Sequence, residues 1–349
     1  MHSVDDQRIC VHSKLRRIKI KFVFQSLLEG ILQKGFQFMD ALTDILNTLR
    51  LSSSLYFRTE LTAPWGVEVP EKPNVARFHI VIRGQCWLKI QGQADGDLMS
   101  SGDLVIVPHG VAHTIADQHT SKTKPLADVL DEVEYVGTGP LIYGGGGVGC
   151  CLVCGEFSFD ELECHPLLEN LPAKLYVSAD STYNTQWLDS AIGYIGYEAS
   201  SLQSGANAIV DRLSEIILIQ VIRATLNSTT EKIPFLSAFT DSRINQVLSA
   251  IHRDPAFNWN VEKLGKIANM SRSAFSNRFT ELANMTPLQY VIFVRLQKAS
   301  RLLKDTNTAL VSIAESVGYH SDAAFSEAFK KQFKLRPGEY RRYHTSAVA

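Results

Sequence analysis

Two hydrophobic rhythms divide the chain. Before about residue 170, apolar residues come in short runs bounded by glycine, proline and polar turns: "RFHIVIRG", "CWLKIQG", "GDLVIVPHG" and "CLVCGEFSFD". Runs of that length, rich in β-branched and aromatic residues, predict strands, and their number predicts a small β-barrel or jelly roll. From Asn184 to Asn227 the spacing turns helical, in "QWLDSAIGYIGYEA" and "ANAIVDRLSEIILIQVIRATL". The second segment is apolar at Ile209, Val210, Leu213, Ile216, Ile217, Ile219 and Val221, a wider band than one helix face needs. That excess predicts a seam between two copies of the chain, a homodimer. "NSTTEKIPF", 227–235, is polar, contains a proline and predicts an interdomain linker.

The last third is helical throughout and repeats itself. "SRSAFSNRF" at 271–279 recurs as "SDAAFSEAF" at 321–329, with five of nine positions identical. Each copy follows a matching lead-in, Leu264, Ala268 and Met270 in one and Ile313, Val317 and Tyr319 in the other. Such a period marks a duplicated supersecondary unit. Each unit reads as helix–turn–helix, about 261–283 and 309–334. Asn269 and Gly318 supply the turn because both tolerate left-handed backbone. Ser271 and Ser321 are placed to cap the second helix. Phe275 and Phe279, like Phe325 and Phe329, are four apart and share one face. The opposite face then carries Ser273, Ser276 and Asn277 in the first copy and Ala323, Ser326 and Glu327 in the second. Between the units, "PLQYVIFVRLQKASRLLKD" starts at Pro287 and reads as one long helix. Its length suits two recognition helices lying in successive major grooves, about 34 Å apart.

Charge sharpens this picture. The 349 residues carry a net −1, but 241–349 holds 16 Lys and Arg against 9 Asp and Glu, while 39–240 holds 12 against 24. A basic C-terminal third on an acidic body predicts a polyanion as partner. Arg272, Arg278, Arg295, Lys298, Arg301, Lys330, Lys331 and Arg336 are candidates for phosphate contact. An apolar fraction of 45% with 20% charged residues is that of an ordinary globular protein. No uncharged apolar run reaches the roughly 18 residues of a membrane span. Gln25 and Glu29 interrupt the apolar stretch of residues 1–38, which does not read as a secretory signal. A cytoplasmic protein without a membrane is expected.

On these residues, 236–345 resembles the DNA-binding domain of the AraC/XylS family of bacterial transcription regulators. The signature stands here as "IAESVGYHSDAAFSEAFKKQFKLRPGEYRR". The resemblance implies double-stranded DNA as target, RNA polymerase as partner, and activation more often than repression. It places base and phosphate contacts on Arg272, Ser273, Ser276, Asn277, Arg278, Arg301, Asp322, Ala323, Ser326, Glu327 and Lys330. Glu327 stands where many relatives carry a polar or basic base reader. A glutamate accepts from cytosine N4 but repels phosphate, so the second unit is expected to read sequence weakly.

The strand-rich part resembles the cupin-type sensor of one subfamily of these regulators, through "MDALTDILNTLRLSSSLYFRTELTAPWGVEVP" and "CLVCGEFSF". Gly102, Pro108, Gly110 and His113 match the second cupin motif, whereas the first is incomplete: Arg77 occupies the glutamate ligand slot and His79 stands without a second histidine. The expected architecture is therefore α+β in two domains. A cupin-like sensor spans 39–170, a helical dimerisation and linker region 171–230, and an all-α double helix–turn–helix 236–345. Residues 1–38 have no counterpart and a different charge balance, 7 Lys and Arg against 3 Asp and Glu. They are expected to be a dispensable extension, disordered or translated from an unused start.

Three chemistries compete for the sensor. His79, His113 and Cys154 form a candidate nitrogen–sulfur set for zinc. With Arg77 spoiling the usual constellation, a domain without cofactor is preferred. Four of six cysteines lie between 150 and 164, and Cys151 and Cys154 are candidates for oxidant sensing, singly or paired with Cys86 or Cys164. Three residues apart on a strand, the two point to opposite faces, which suits neither one metal nor an unstrained disulfide. An organic inducer among His79, His113 and the cysteines is the remaining account. A cupin metalloenzyme with an accessory DNA domain, or a constitutive DNA binder whose barrel only dimerises, are the rival functions. An enzyme is not expected.

Overall fold

The computed structural model describes residues 41–49, 52–137, 139–159, 165–179, 185–200, 203–227 and 235–346. The expected N-terminal extension, most of the linker and Cys164 lie outside them. Eleven described strands form two sheets. The first has the order β11–β6–β3–β10–β1–β9, from Leu175–Val177 (β11), Leu104–Val107 (β6), Val75–Arg83 (β3), Gly149–Ser158 (β10), Ser52–Thr62 (β1) and Leu141–Gly144 (β9). The second has the order β5–β4–β7–β2–β8, from Asp97–Ser100 (β5), Gln85–Ile90 (β4), His113–Ala116 (β7), Gly66–Val69 (β2) and Lys124–Pro125 (β8). The strands read from the sequence are all present, as two facing sheets and not a closed barrel.

In the central strands β6, β3 and β10 of the first sheet both faces are buried, which explains why they read as nearly continuous apolar runs. Inward, Val81, Val105 and Leu152 meet Cys86, Leu88 and Ile115 of the second sheet. Outward, Phe78, Ile80, Val153 and Phe157 pack under helices. The alternation of β10 is thus between two cores, not between core and water.

Helix α1 (Ala41–Leu49) precedes the sheets, and α2 (Leu126–Glu132) and α3 (Pro166–Glu169) interrupt them. The antiparallel pair α4 (Thr185–Ser200) and α5 (Ala206–Asn227) covers the outer face. Then come α6 (Leu236–Thr240), α7 (Ser242–Arg253), α8 (Val261–Ile267), α9 (Arg272–Ala283), α10 (Pro287–Asp305), α11 (Leu310–Ser316), α12 (Asp322–Phe333) and α13 (Pro337–Ser346). One core runs without a break from the outer sheet face through Leu167, Phe235 and Leu236 into Phe275, Phe279, Tyr290 and Phe293 of the first helix–turn–helix unit. The second unit has a core of its own, around Leu296, Ile313, Phe325, Phe329, Phe333 and Tyr340. Among the described residues no helix is long and apolar enough to cross a membrane.

Candidate functional site

The two C-terminal units are built alike down to the accessibility of each position. In α9 and in α12 the same pattern recurs: residues 271–274 and 321–324 exposed, Phe275 and Phe325 buried, Asn277 and Glu327 exposed, Phe279 and Phe329 buried. Ser271 and Ser321 cap the two helices by accepting from Ala274 N and Ala324 N, each at 3.4 Å. Asn269 (φ 52°) and Gly318 (φ 85°) make the turns. A Cβ on Gly318 would lie 2.7 Å from the Ala256 carbonyl oxygen, so the second turn needs glycine for space as well as for its dihedral. The duplication reaches further than the nine residues that reveal it. Asn284 and Lys334 end α9 and α12 in left-handed conformation, and Pro287 and Pro337 then begin α10 and α13. Tyr290 and Tyr340, fifty apart, are both fully buried.

The outward surface carries Arg272, Ser273 and Asn277 on α9, with Ser276 half-buried, and Asp322, Ala323, Glu327 and Lys330 on α12, with Ser326 half-buried. Helix α10, nineteen residues long and held at its start by a Thr286–Gln289 capping box, spans roughly 28 Å between the units. Several expected phosphate ligands are engaged inside the protein. Arg278 pairs with Asp241 and Glu281, both at 3.0 Å. Arg295 donates to the carbonyls of Pro255, Phe257 and Gly318, tying α10 to the α7–α8 loop and to the turn of the second unit. The half-buried Arg301, with Lys298, puts its charge on Asp44 of α1.

Asp44 belongs to an arrangement the sequence did not announce. His252 of α7 bonds Asp44 Oδ2 through Nδ1 at 2.6 Å and the Tyr290 hydroxyl through Nε2 at 2.7 Å. Nδ1–H donates to the carboxylate, and Nε2 shares its bond with the tyrosine hydroxyl. Burial pushes the Asp44 carboxyl up, but the His252 bond and the charges of His252, Arg301 and Lys298 outweigh it and hold it below its usual value. Beside this set, His165 caps α3 and lies edge-on to Phe293 with ring centroids 5.0 Å apart.

Between the sheets lies a cavity of about 150 Å3, walled by Phe57, Leu61, Trp65, Val67, Ile115 and Leu152, with Arg77, His79 and Cys154 along β3 and β10. The three candidate zinc ligands are adjacent, but they form a row. His113 Nδ1 lies 2.8 Å from the Val111 carbonyl, so it donates there and leaves Nε2 as acceptor. His79 Nε2, 2.8 Å away, must then donate to it. His79 Nδ1 in turn accepts from the Cys154 thiol at 3.1 Å. The sulfur sits on the far side of the imidazole from His113, whereas zinc needs one lone pair of each ligand aimed at a single point. Among the described residues no group of three or more His, Cys, Asp or Glu is arranged to hold a metal. These residues do not fit the metal of cupin enzymes, and Arg77 in the glutamate slot brings a like charge. Burial lowers His113 to about 4 and His79 well below the ordinary imidazole range, with His113 and Arg77 adding repulsion at His79. The row is neutral.

Cys151 and Cys154 do face opposite ways. Cys154 looks into the cavity, and burial pushes its thiol far up, away from thiolate chemistry. Cys151 lies on the other face beside Arg58 and Glu60, and burial raises it too. Cys86 instead meets Cys150, which hydrogen-bonds to it and is itself lowered by that bond. Cys150 escaped the sequence reading although its even spacing from Leu152 and Cys154 placed it inward.

A cupin family model matches residues 40–227, and a helix-turn-helix domain model matches residues 264–343. The chain is similar to an AraC-like transcription regulator of Streptomyces lividans, 31% identical over 314 residues that cover 88% of this chain and 99% of that one. It is similar to the HTH-type transcriptional regulator AlkR of Acinetobacter baylyi, 29% identical, with 87% and 99% covered. The DNA-binding domain of AdpA, solved in complex with a target DNA, aligns at 30% identity over 29% of this chain and 91% of that one, with a TM-score of 0.28.

Proposed function

The chain belongs to the AraC-type transcription regulators that carry a cupin domain ahead of a helix-turn-helix module, and from that premise we propose that it is a cytoplasmic, homodimeric activator. It binds DNA sequence-specifically, engages RNA polymerase, and takes an organic signal between its two sheets. The observation that carries this reading is strand β10. It presents Leu152 and Cys154 to the cavity and Val153 and Phe157 to the core that continues into the first helix–turn–helix unit. An occupant that displaces β10 therefore bears on packing that α9 shares, the differential contact a population shift requires. A sensor, not a catalyst, is favoured by the neutral row, in which His79, His113 and Cys154 are spent on one another instead of aimed at a common ligand. Oxidant sensing through Cys151 and Cys154 is disfavoured by two thiols that burial keeps protonated.

Base reading is assigned to the exposed edge of α9, with Asn277 at its centre and Ser273 and Ser276 beside it. Asn277→Ala is expected to cost about 1–3 kcal/mol on the cognate site and relax preference at one base pair. Lys330→Ala is expected to weaken all sequences alike and reduce the salt slope by about one. Quantitative binding to cognate and scrambled DNA across salt concentrations checks both, and equal losses for Asn277→Ala would remove α9 as the reader.

A second copy is expected to dock on α4 and α5. Tyr194 and Tyr197 of α4 are 63% and 59% exposed, and Ile209 and Ile216 of α5 are 44% and 48% exposed. Ile209 and Ile216 are seven apart, the spacing of one helical seam. Ile216→Glu should shift the protein to monomer in sedimentation and weaken binding to paired half-sites, while leaving its helical circular dichroism unchanged.

A further inference from the structure

The cavity holds a charge that meets no counter-charge among the described residues. Arg77 is 6% exposed, and its one hydrogen bond to a described residue runs from Nη1 to the Pro70 carbonyl. Its Nε–H meets no acceptor. No carboxylate among the described residues pairs with it. Glu156 stands opposite on β10, but Lys72 holds its Oε1 at 2.7 Å and its Oε2 is unpartnered. The other groups facing Arg77 along β3 and β7, His79 and His113, are neutral donors and acceptors already spent on one another. A buried guanidinium in such surroundings is stable only with an anion or a fuller set of acceptors. A second donor on the same wall, the Trp65 indole N–H, is likewise buried without a partner. Trp65 precedes β2 and Pro70 follows it, so the two unpartnered donors lie toward opposite ends of that strand. Between them the lining is mostly hydrocarbon, from Phe57, Leu61, Val67, Ile115, Leu126 and Leu152, and its polar members Thr59, His79 and Cys154 are engaged in hydrogen bonds within the protein.

We propose that this cavity takes a small amphipathic monocarboxylate, its carboxylate on the Arg77 guanidinium and its hydrocarbon body directed toward Trp65. This rests on the reading of the cavity as the signal site and names the chemistry of the signal. Arginine suits the task because its planar fork matches a carboxylate and keeps its charge when buried. The volume limits the body to about one aromatic ring or a chain of roughly six carbons, since a cavity of this size holds benzene. Entry runs through the adjoining cleft of about 510 Å3, which shares Val69 and Leu126 with the cavity and has His113 on its wall. A neutral molecule of the same shape would fill the hydrocarbon and leave Arg77 unpaired.

The test is calorimetric titration of the full chain with phenylacetate and hexanoate against 2-phenylethanol and 1-hexanol, with tryptophan fluorescence recorded in parallel. Each acid is expected to bind at least tenfold more tightly than its alcohol and to change the fluorescence through Trp65. Arg77→Met is expected to abolish that preference while alcohol binding persists, and Arg77→Lys to retain part of it. Alcohols binding as well as acids, or acids binding Arg77→Met undiminished, would overturn the proposal. If Arg77→Met does not fold, the wild-type comparison and Arg77→Lys still decide. Binding of neither pair overturns it too. Operator affinity measured on the same preparation keeps the outcomes apart, because intact DNA binding with no acid binding defeats the ligand class and leaves the regulator standing.

Discussion

Phe329→Ala is expected to unfold the second helix–turn–helix unit and leave the rest of the protein folded. Phe329 is fully buried and lies 5.6 Å from Phe325, 4.5 Å from Phe333 and 5.2 Å from Tyr340 between ring centroids. Removing such a ring costs about 3–5 kcal/mol, through lost transfer energy and an unfilled cavity. That is comparable with the whole stability of a small unit. The separation of cores decides how far the damage spreads: Phe329 belongs to the cluster that contains no residue of the sheets or of the first unit. A denaturation curve with one early, partial transition and a footprint shortened to one major-groove contact would be the result. Phe279→Ala, in the core shared with the sheets, should instead lower both transitions. Loss of the whole footprint with a single cooperative transition for Phe329→Ala would contradict the two-core description.

His252→Ala is expected to release α1 from the DNA-binding module. The substitution removes the His252 bond from the Asp44 carboxylate, 14% exposed at its side chain, and strands the buried Tyr290 hydroxyl. Losing one hydrogen bond to a charged group and leaving a buried hydroxyl unsatisfied costs about 2–4 kcal/mol. The expected readout is a lowered melting temperature together with DNA affinity that no longer responds to the occupant of the cavity. His252→Gln should restore part of both, since its amide still donates to Asp44. Because the Asp44 carboxyl is held below its ordinary value, near 3.9 when unfolded, its contribution is complete above that pH and fades as pH falls through the lower folded-state value. Wild type should therefore lose a stability increment below about pH 4 that His252→Ala lacks. Equal acid sensitivity of the two proteins would show that the contact does not hold α1.

The chemistry legible in the sequence was the chemistry that neighbours dictate. Alternation along β10 told that Cys151 and Cys154 part company, because successive side chains on a strand leave by opposite faces whatever surrounds them. The fifty-residue repeat revealed both reading helices, because caps, left-handed turns and phenylalanines four apart are set within one or two turns of backbone. The resemblance to the cupin motifs, not these short-range rules, singled out His79, His113 and Cys154 as companions. The motifs could not tell that the three stand in a row, since that depends on the register of strands 34 and 75 residues apart in sequence and on which ring nitrogen each neighbour claims.

Tertiary structure alone decided which charges are spent and which are free. Arg278 and Arg295 look in the sequence like any other basic residue on a DNA-binding helix, yet Asp241 claims the first and the carbonyls of two turns claim the second. Arg77 reads as a defect in a metal motif until the sheets close over it and leave it buried beside a largely apolar cavity with no ion-pair partner among the described residues. The Asp44–His252 contact joins residues 208 positions apart across two domains. Periodicity and capping are short-range properties of the backbone, so the sequence carries them openly. Pairing and desolvation belong to surfaces that meet only after folding, and their partners are chosen by packing, not by spacing along the chain.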